Sequence, residues 1–175
     1  MFRKYLPIIL TIASVLYSND KNNFKHERRI KNILYQYINE VDSKNLDGIL
    51  SHLTIPIDFH YGSNRVLTIN SKKDLKEIFS NWIKSDKSKF HSTKIKSINV
   101  QQTGIVKNYL AVADITYDRL DKNGVVIRTE RVLYHFILGN AYVGKPIEFI
   151  WSYLTRWASN WKIYMISNID IQSNQ

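Results

Sequence analysis

Two small groups of residues carry side chains able to move a proton. Asp58 and His60 stand two positions apart in Ile57-Asp58-Phe59-His60-Tyr61, an alternation that puts both on one face of a strand. Glu130 groups with Tyr117 and Tyr134. Acid–base chemistry needs a carboxylate or imidazole kept from bulk water, so that its pKa moves toward neutrality, and a donor for the charge that develops on oxygen. His60, Asp58 and Glu130 are therefore the candidate catalytic bases, and tyrosine hydroxyls are the candidate donors. Each has a plainer reading: His60 as an exposed strand histidine, and Glu130 as an ion-pair partner of Arg119 or Arg128 at a hairpin edge.

Other chemistries find little support. His26, His52, His60, His91 and His135 are scattered, with no spacing that sets two on one helix face, so no metal site is expected. The absence of cysteine excludes disulfides, a thiolate nucleophile, thiolate metal ligands and a lipidated cysteine anchor. There is no G-x-S-x-G elbow and no G-x-G-x-x-G loop. Gly139-x-x-x-x-Gly144-Lys145 is followed by Pro146, where a phosphate loop needs Ser or Thr for magnesium. The next residues, Ile147 to Tyr153, read as a strand rather than the helix such a loop requires. No cofactor is expected.

The formal charge is +10. Such a surface suits an acidic polymer or an anionic membrane. The lysines are spread along the chain rather than clustered, however, and Lys94, Lys96 and Lys107 read as a solvated sheet face, so no nucleic-acid partner is expected.

The elements that position these residues follow from periodicity. Ile30, Ile33, Leu34, Tyr37, Ile38 and Val41 recur at helical spacing and predict a helix over 25–43. Leu46, Ile49, Leu50 and Leu53 predict a second helix, Asn45 to Leu53, stopped by Pro56. Ile57 to Tyr61 and Val66 to Ile69 predict strands around Gly62-Ser63-Asn64. Ser71, with Asp74 three residues on, caps a third helix whose stripe is Leu75, Ile78, Phe79, Trp82 and Ile83. Strands are then expected over 92–104, 108–119, 125–138, 149–158 and 161–170. The fold class is α+β: N-terminal helices packed on a strongly curved antiparallel sheet.

The hairpin within Tyr109–Leu138 carries the most information. With Asn123-Gly124 as a two-residue turn, Tyr117 faces Glu130, Ile115 faces Val132, Ala113 faces Tyr134 and Ala111 faces Phe136. These share one face, the candidate concave side, whereas Asp114, Thr116, Asp118, Thr129, Arg131 and His135 fall on the other. A three-residue loop would reverse one strand relative to the other. Alanines between aromatics leave room for a ligand on the inner face. Tyr109, Tyr117, Tyr134, Tyr61 and Trp82 are the candidate ligand-binding residues; the simpler alternative is that they only pack beneath the helices. Trp151, Tyr153 and Trp157 share a strand face, with Trp161 beyond a Ser159-Asn160 turn, and suit core and a dimer seam.

The N-terminus has a separate character. Arg3-Lys4, an uncharged apolar run from Tyr5 to Tyr17, and Ser18-Asn19-Asp20 form the layout of a secretory signal peptide over residues 1–18. The run is short of the ~20 residues that span a bilayer. A single domain, 19–175, is expected to be exported to the periplasm or secreted, with no stable membrane span after cleavage. Loss of Arg3 and Lys4 would take the formal charge from +10 to +8.

The order of elements resembles the nuclear transport factor two-like superfamily and, within it, the SnoaL-like proteins. Four stretches carry the resemblance: Arg28–Ser43 with Leu46–Leu53; Pro56–Phe59 with Ser71–Phe79; Tyr109–Val112 through Tyr117, Asp121 and Gly124; and Trp161-Lys162-Ile163. It implies a cone-shaped α+β barrel, helices closing its concave side, and frequent homodimers through the sheet face. Members include isomerases, dehydratases, cyclases and protein-association modules, so fold alone does not assign an activity. Gly139–Pro146 and its neighbours read as an insertion relative to such proteins. The expected function is binding of a small apolar or amphipathic ligand in the cone. The alternatives are an acid–base enzyme using His60, Asp58 or Glu130, and a dimerising protein-association module.

Overall fold

The computed structural model describes residues 26–62, 65–85, 88–103, 110–138 and 161–173. The first helix, α1, spans residues 26–42. Its apolar stripe is buried: Ile30, Leu34, Tyr37, Ile38 and Val41 all belong to the core. A left-handed residue, Lys44 at φ 58°, ends it. Asn45 N–H donates to Glu40 O at 2.9 Å and Lys44 N–H to Val41 O at 3.2 Å, the paired bonds of a Schellman cap. Asn45 then caps α2 (Leu46–Ser51) by accepting from Gly48 N–H.

Pro56 does not stop this helix. The helix ends at Ser51, and Pro56 lies inside β1 (Leu53–Tyr61), after a cis Ile55–Pro56 peptide bond. Strand β2 (Arg65–Ile69) returns antiparallel to β1, with Ile57 opposite Ile69. Ser71 caps α3 (Lys72–Lys84), its hydroxyl accepting from Asp74 N–H at 3.1 Å. The apolar side of α3 buries Leu75 and Phe79, and the Phe79 ring meets Phe59 of β1 edge-on at 6.1 Å.

Four long strands complete the sheet: β3 (Ser92–Thr103), β4 (Leu110–Leu120), β5 (Val126–Leu138) and β6 (Trp161–Ser173). The spatial order is β2-β1-β6-β5-β4-β3. The expected antiparallel sheet is in fact mixed, because β1 and β6 run parallel, and among the described residues it stays open, with β2 and β3 at its edges. The strand expected over 149–158, the insertion after Leu138 and the N-terminal leader lie outside the described residues. Among the described residues no helix is long and apolar enough to cross a membrane.

The β4–β5 register pairs Tyr117 with Glu130, Ile115 with Val132, Ala113 with Tyr134 and Ala111 with Phe136, as the two-residue turn predicts. The turn itself differs. Asp121 N–H donates to Val125 O at 2.9 Å and Gly124 N–H to Asp121 O at 3.1 Å. The loop is therefore three residues, Lys122-Asn123-Gly124. Asp121 Oδ1 accepts from the N–H of both Asn123 and Val125, each at 2.8 Å, and Gly124 takes φ 80°, where a side chain would be strained. The odd residue is absorbed at once. Leu120 faces Val126 while Arg119 faces Arg128, leaving Ile127 as a bulge that restores the parity.

Candidate functional site

The inner face of the hairpin is closed over by helices. Ala111, Ala113, Ile115, Tyr117, Val132, Tyr134 and Phe136 are all buried, and Tyr37 of α1 meets the Tyr134 ring edge-on at 5.6 Å. Toward the turn this apolar face gives way to charge. Tyr117 OH donates to Glu130 Oε2 at 2.6 Å, and Tyr134 hydrogen-bonds to Tyr117 in turn. Arg128 Nε donates to Glu130 Oε1. Arg119 Nε lies 3.8 Å from Glu130 Oε2, and Arg119 Nη2 donates to Tyr117 OH at 3.3 Å.

Arg119 ties this cluster to α1 and β3. Its Nη1 donates to Thr93 Oγ1 and lies 3.4 Å from Asp42 Oδ1. Asp42 also accepts from Thr93 N–H at 2.8 Å and Thr93 Oγ1 at 2.5 Å. The Arg119 guanidinium stacks on Tyr117 at 4.5 Å and on Phe90 at 4.1 Å.

These contacts set the protonation states. Burial alone would raise the Glu130 carboxyl, but Arg119, the Tyr117 hydroxyl and Arg128 outweigh it and hold the group below its ordinary range. Burial pushes the phenols of Tyr117 and Tyr134 well up, so both are neutral donors. The arrangement is a donor chain, Tyr134 to Tyr117 to an anionic Glu130, clamped by two guanidiniums. Such a carboxylate is a poor proton acceptor, because its lone pairs are engaged and its charge is stabilised.

The other predicted site residues lie elsewhere. Asp58 and His60 do share a face of β1, as the alternation requires. Ile57 and Phe59 take the buried side, so Asp58 and His60 sit on the opposite side of the sheet from Glu130, and the structure does not bring them together. Asp58 Oδ1 accepts from Thr68 Oγ1 at 2.6 Å. His60 acts electrostatically on His135, whose pKa is lowered first by burial and then by His60. The His135 ring meets Tyr164 at 6.1 Å. Tyr61, at the exposed end of β1, stacks on Phe59 at 6.3 Å. Trp82 is half-buried between Phe79 and Phe90, each at 6.3 Å. Tyr109 lies outside the described residues.

Sequence reading missed Asp42, Lys44, Phe90, Thr93 and the burial of Arg119. One signal was available: Arg119 continues the odd-numbered inner face by a single step. Asp42 lies one helical turn beyond Ile38, at the margin of the α1 stripe. Nothing local announces Lys44.

Comparison with known proteins agrees with this architecture. No protein-family profile matches the sequence, and no curated protein matches it. Among solved structures, a nuclear transport factor two-like protein of unknown function from Pseudomonas putida superposes with TM-score 0.56 at 11% identity, covering 83% of this chain and 87% of that one. A scytalone dehydratase-like protein from Novosphingobium aromaticivorans gives 0.54 at 10% identity, covering 89% and 92%. A protein of unknown function with a cystatin-like fold from Nostoc punctiforme gives 0.55 at 10% identity, covering 83% and 90%. At these identities the likeness is one of fold, and the chain has the nuclear transport factor two-like, cystatin-like cone fold.

Proposed function

We propose that the chain is a binding domain that holds a small apolar or amphipathic ligand between its helices and the inner sheet face, and that it is not a proton-transfer enzyme. One observation carries this reading. The carboxylate on the covered face, Glu130, is engaged by Tyr117 and Arg128 and flanked by Arg119. What the inner face offers a guest is therefore apolar surface, phenol and guanidinium rather than a base. Recognition by a few fixed polar groups at one end of an apolar wall is the common design of small-ligand sites.

The test is titration of the full chain with the neutral apolar dye N-phenyl-1-naphthylamine, alongside native mass spectrometry of the purified protein. Saturable one-to-one binding is expected, and Ala113→Phe, which fills the inner face, abolishes it. Absence of saturable binding by the dye and by straight-chain amphiphiles overturns the proposal. Export belongs to the same reading and rests on the basic–apolar–polar layout of residues 1–20. N-terminal sequencing of protein recovered outside the cytoplasm tests it, and a mature N-terminus near Asn19 is the expected result.

A further inference from the structure

We propose that the polar end of the ligand is a monoanionic carboxylate, received at the turn end of the inner face by Lys44 with Arg119 and Arg128 beside it. This rests on the ligand-binding reading above and adds the chemical class of the guest.

The observation behind it is a crowd of like charges around one ring. Phe90, 7% exposed, has Lys44 Nζ at 3.4 Å from its centroid, the Arg119 guanidinium carbon at 4.1 Å and that of Arg128 at 5.9 Å. Three cations meet here, and Asp42 and Glu130 are the carboxylates that contact Arg119 and Arg128. Both carboxylates are already engaged: Asp42 by Thr93 and Arg119, Glu130 by Tyr117 and Arg128. Lys44 Nζ is buried and has no hydrogen-bond partner among the described residues, and the same holds for Arg119 Nε. Aromatic faces stabilise a cation, yet an ammonium has three donors and a ring face supplies no conventional acceptor.

The backbone points the same way. Lys44 occupies the left-handed C′ position of the α1 cap, which glycine or asparagine fills at less strain. A lysine there delivers its ammonium to Phe90 and to Trp82, whose ring centroid is 5.5 Å away. Burial, then Arg119, lower its pKa to about 8, a cost that a bound anion relieves. A single ammonium without an acceptor among the described residues matches a carboxylate better than a phosphate dianion, and Phe90 and Trp82 supply apolar surface for the chain behind it.

The experiment is isothermal titration of the full chain with decanoate, decanol and inorganic phosphate at neutral pH. Decanoate is expected to bind more tightly than decanol, phosphate to compete poorly, and Lys44→Met to weaken decanoate at least tenfold while leaving decanol unchanged. Lys44→Gly relaxes the left-handed cap position, its thermal midpoint checks that it folds, and the same loss of decanoate affinity is expected. By NMR, the Lys44 ammonium titrates at higher pH with decanoate bound. Equal binding of decanol and decanoate, or an unchanged decanoate affinity in Lys44→Met, overturns the carboxylate assignment and leaves the ligand-binding reading standing. Phosphate competing as strongly as decanoate also overturns it, in favour of a general anion patch. Failure of both decanoate and decanol to bind removes both readings together.

Discussion

Strands β4 and β5 present the same backbone ladder to two different environments. On the helix side, Glu130 and Arg119 are enclosed, and each contacts several partners drawn from β3, β4, β5 and α1. On the other side, Asp114 and Arg131 form a fork, Nη2 to Oδ2 at 2.6 Å and Nε to Oδ1 at 3.0 Å, with both side chains substantially open to water. The outer pair looks the better ion pair by geometry. The Arg131 hydrogen bond lowers the Asp114 pKa, yet water screens most of what the pair could contribute. The inner charges have worse individual geometry and far more at stake, because a charge left alone there has no solvent to turn to.

Removing one inner partner should therefore have the largest effect. Glu130→Leu leaves the Tyr117 hydroxyl without its acceptor and removes the carboxylate that offsets Arg119 and Arg128, and a loss of about 3–5 kcal/mol in urea unfolding is expected. The same group predicts a pH dependence. Its folded pKa lies below the ordinary 4.5, so the unfolded chain takes up the proton first as pH falls. The stabilisation is full above about 4.5 and is lost as pH falls through the folded value. Glu130→Gln should flatten that acid slope, and an unchanged slope would show that the clamp is not electrostatic.

Next in size is Ala113→Leu, which adds bulk between Ile115 and Tyr134 on the closed face. Overpacking costs about 1–3 kcal/mol. Thermal unfolding measures that loss, and apolar-dye binding unaffected by the added bulk would count against a ligand on this face.

A smaller effect of opposite sign is expected at Lys44. Lys44→Gly removes a left-handed strain of about 1 kcal/mol and a buried cation, so the variant should be more stable at neutral pH. The wild-type penalty has its own pH signature. The folded pKa of about 8 lies below the ordinary 10.5, so stability rises as pH climbs through that window, and Lys44→Gly should erase the rise. The least effect belongs to the outer face: Asp114→Ala should cost about 0.2–1 kcal/mol and vanish in high salt. A cost as large as that of Glu130→Leu would break the distinction between the two faces.

The inner face was legible because period-two alternation needs only one correct register, and Asp121 to Gly124 marks where the chain turns. Tyr117, Glu130 and Tyr134 followed from that. The helices were legible from their stripes, and Ser71 announced the start of α3. Pro56 misled because a proline was read as ending the helix before it, when it instead sits in a strand. The clamp around Glu130 was only half visible. Its neighbours on β4 and β5 obey local parity, but Asp42, Lys44 and Phe90 arrive from other elements across long stretches of sequence, and tertiary packing leaves no local periodicity to read. The separation of Asp58 and His60 from Glu130 was equally hidden, since alternation tells which residues share a side and not which side meets the helices.

The Ile127 bulge makes the hairpin a counting device. A two-residue turn without a bulge and a three-residue loop with one place the same phenol against the same carboxylate. The residue count between Tyr117 and Glu130, rather than the shape of the corner, holds them together. Turn and bulge can thus be traded against each other without disturbing the clamp. An unbalanced single insertion between Gly124 and Arg128 has no such freedom. Unless a second bulge absorbs it, every later residue of β5 changes sides, which swaps the enclosed carboxylate for Thr129 and takes that anion from Arg119 and Arg128 at once.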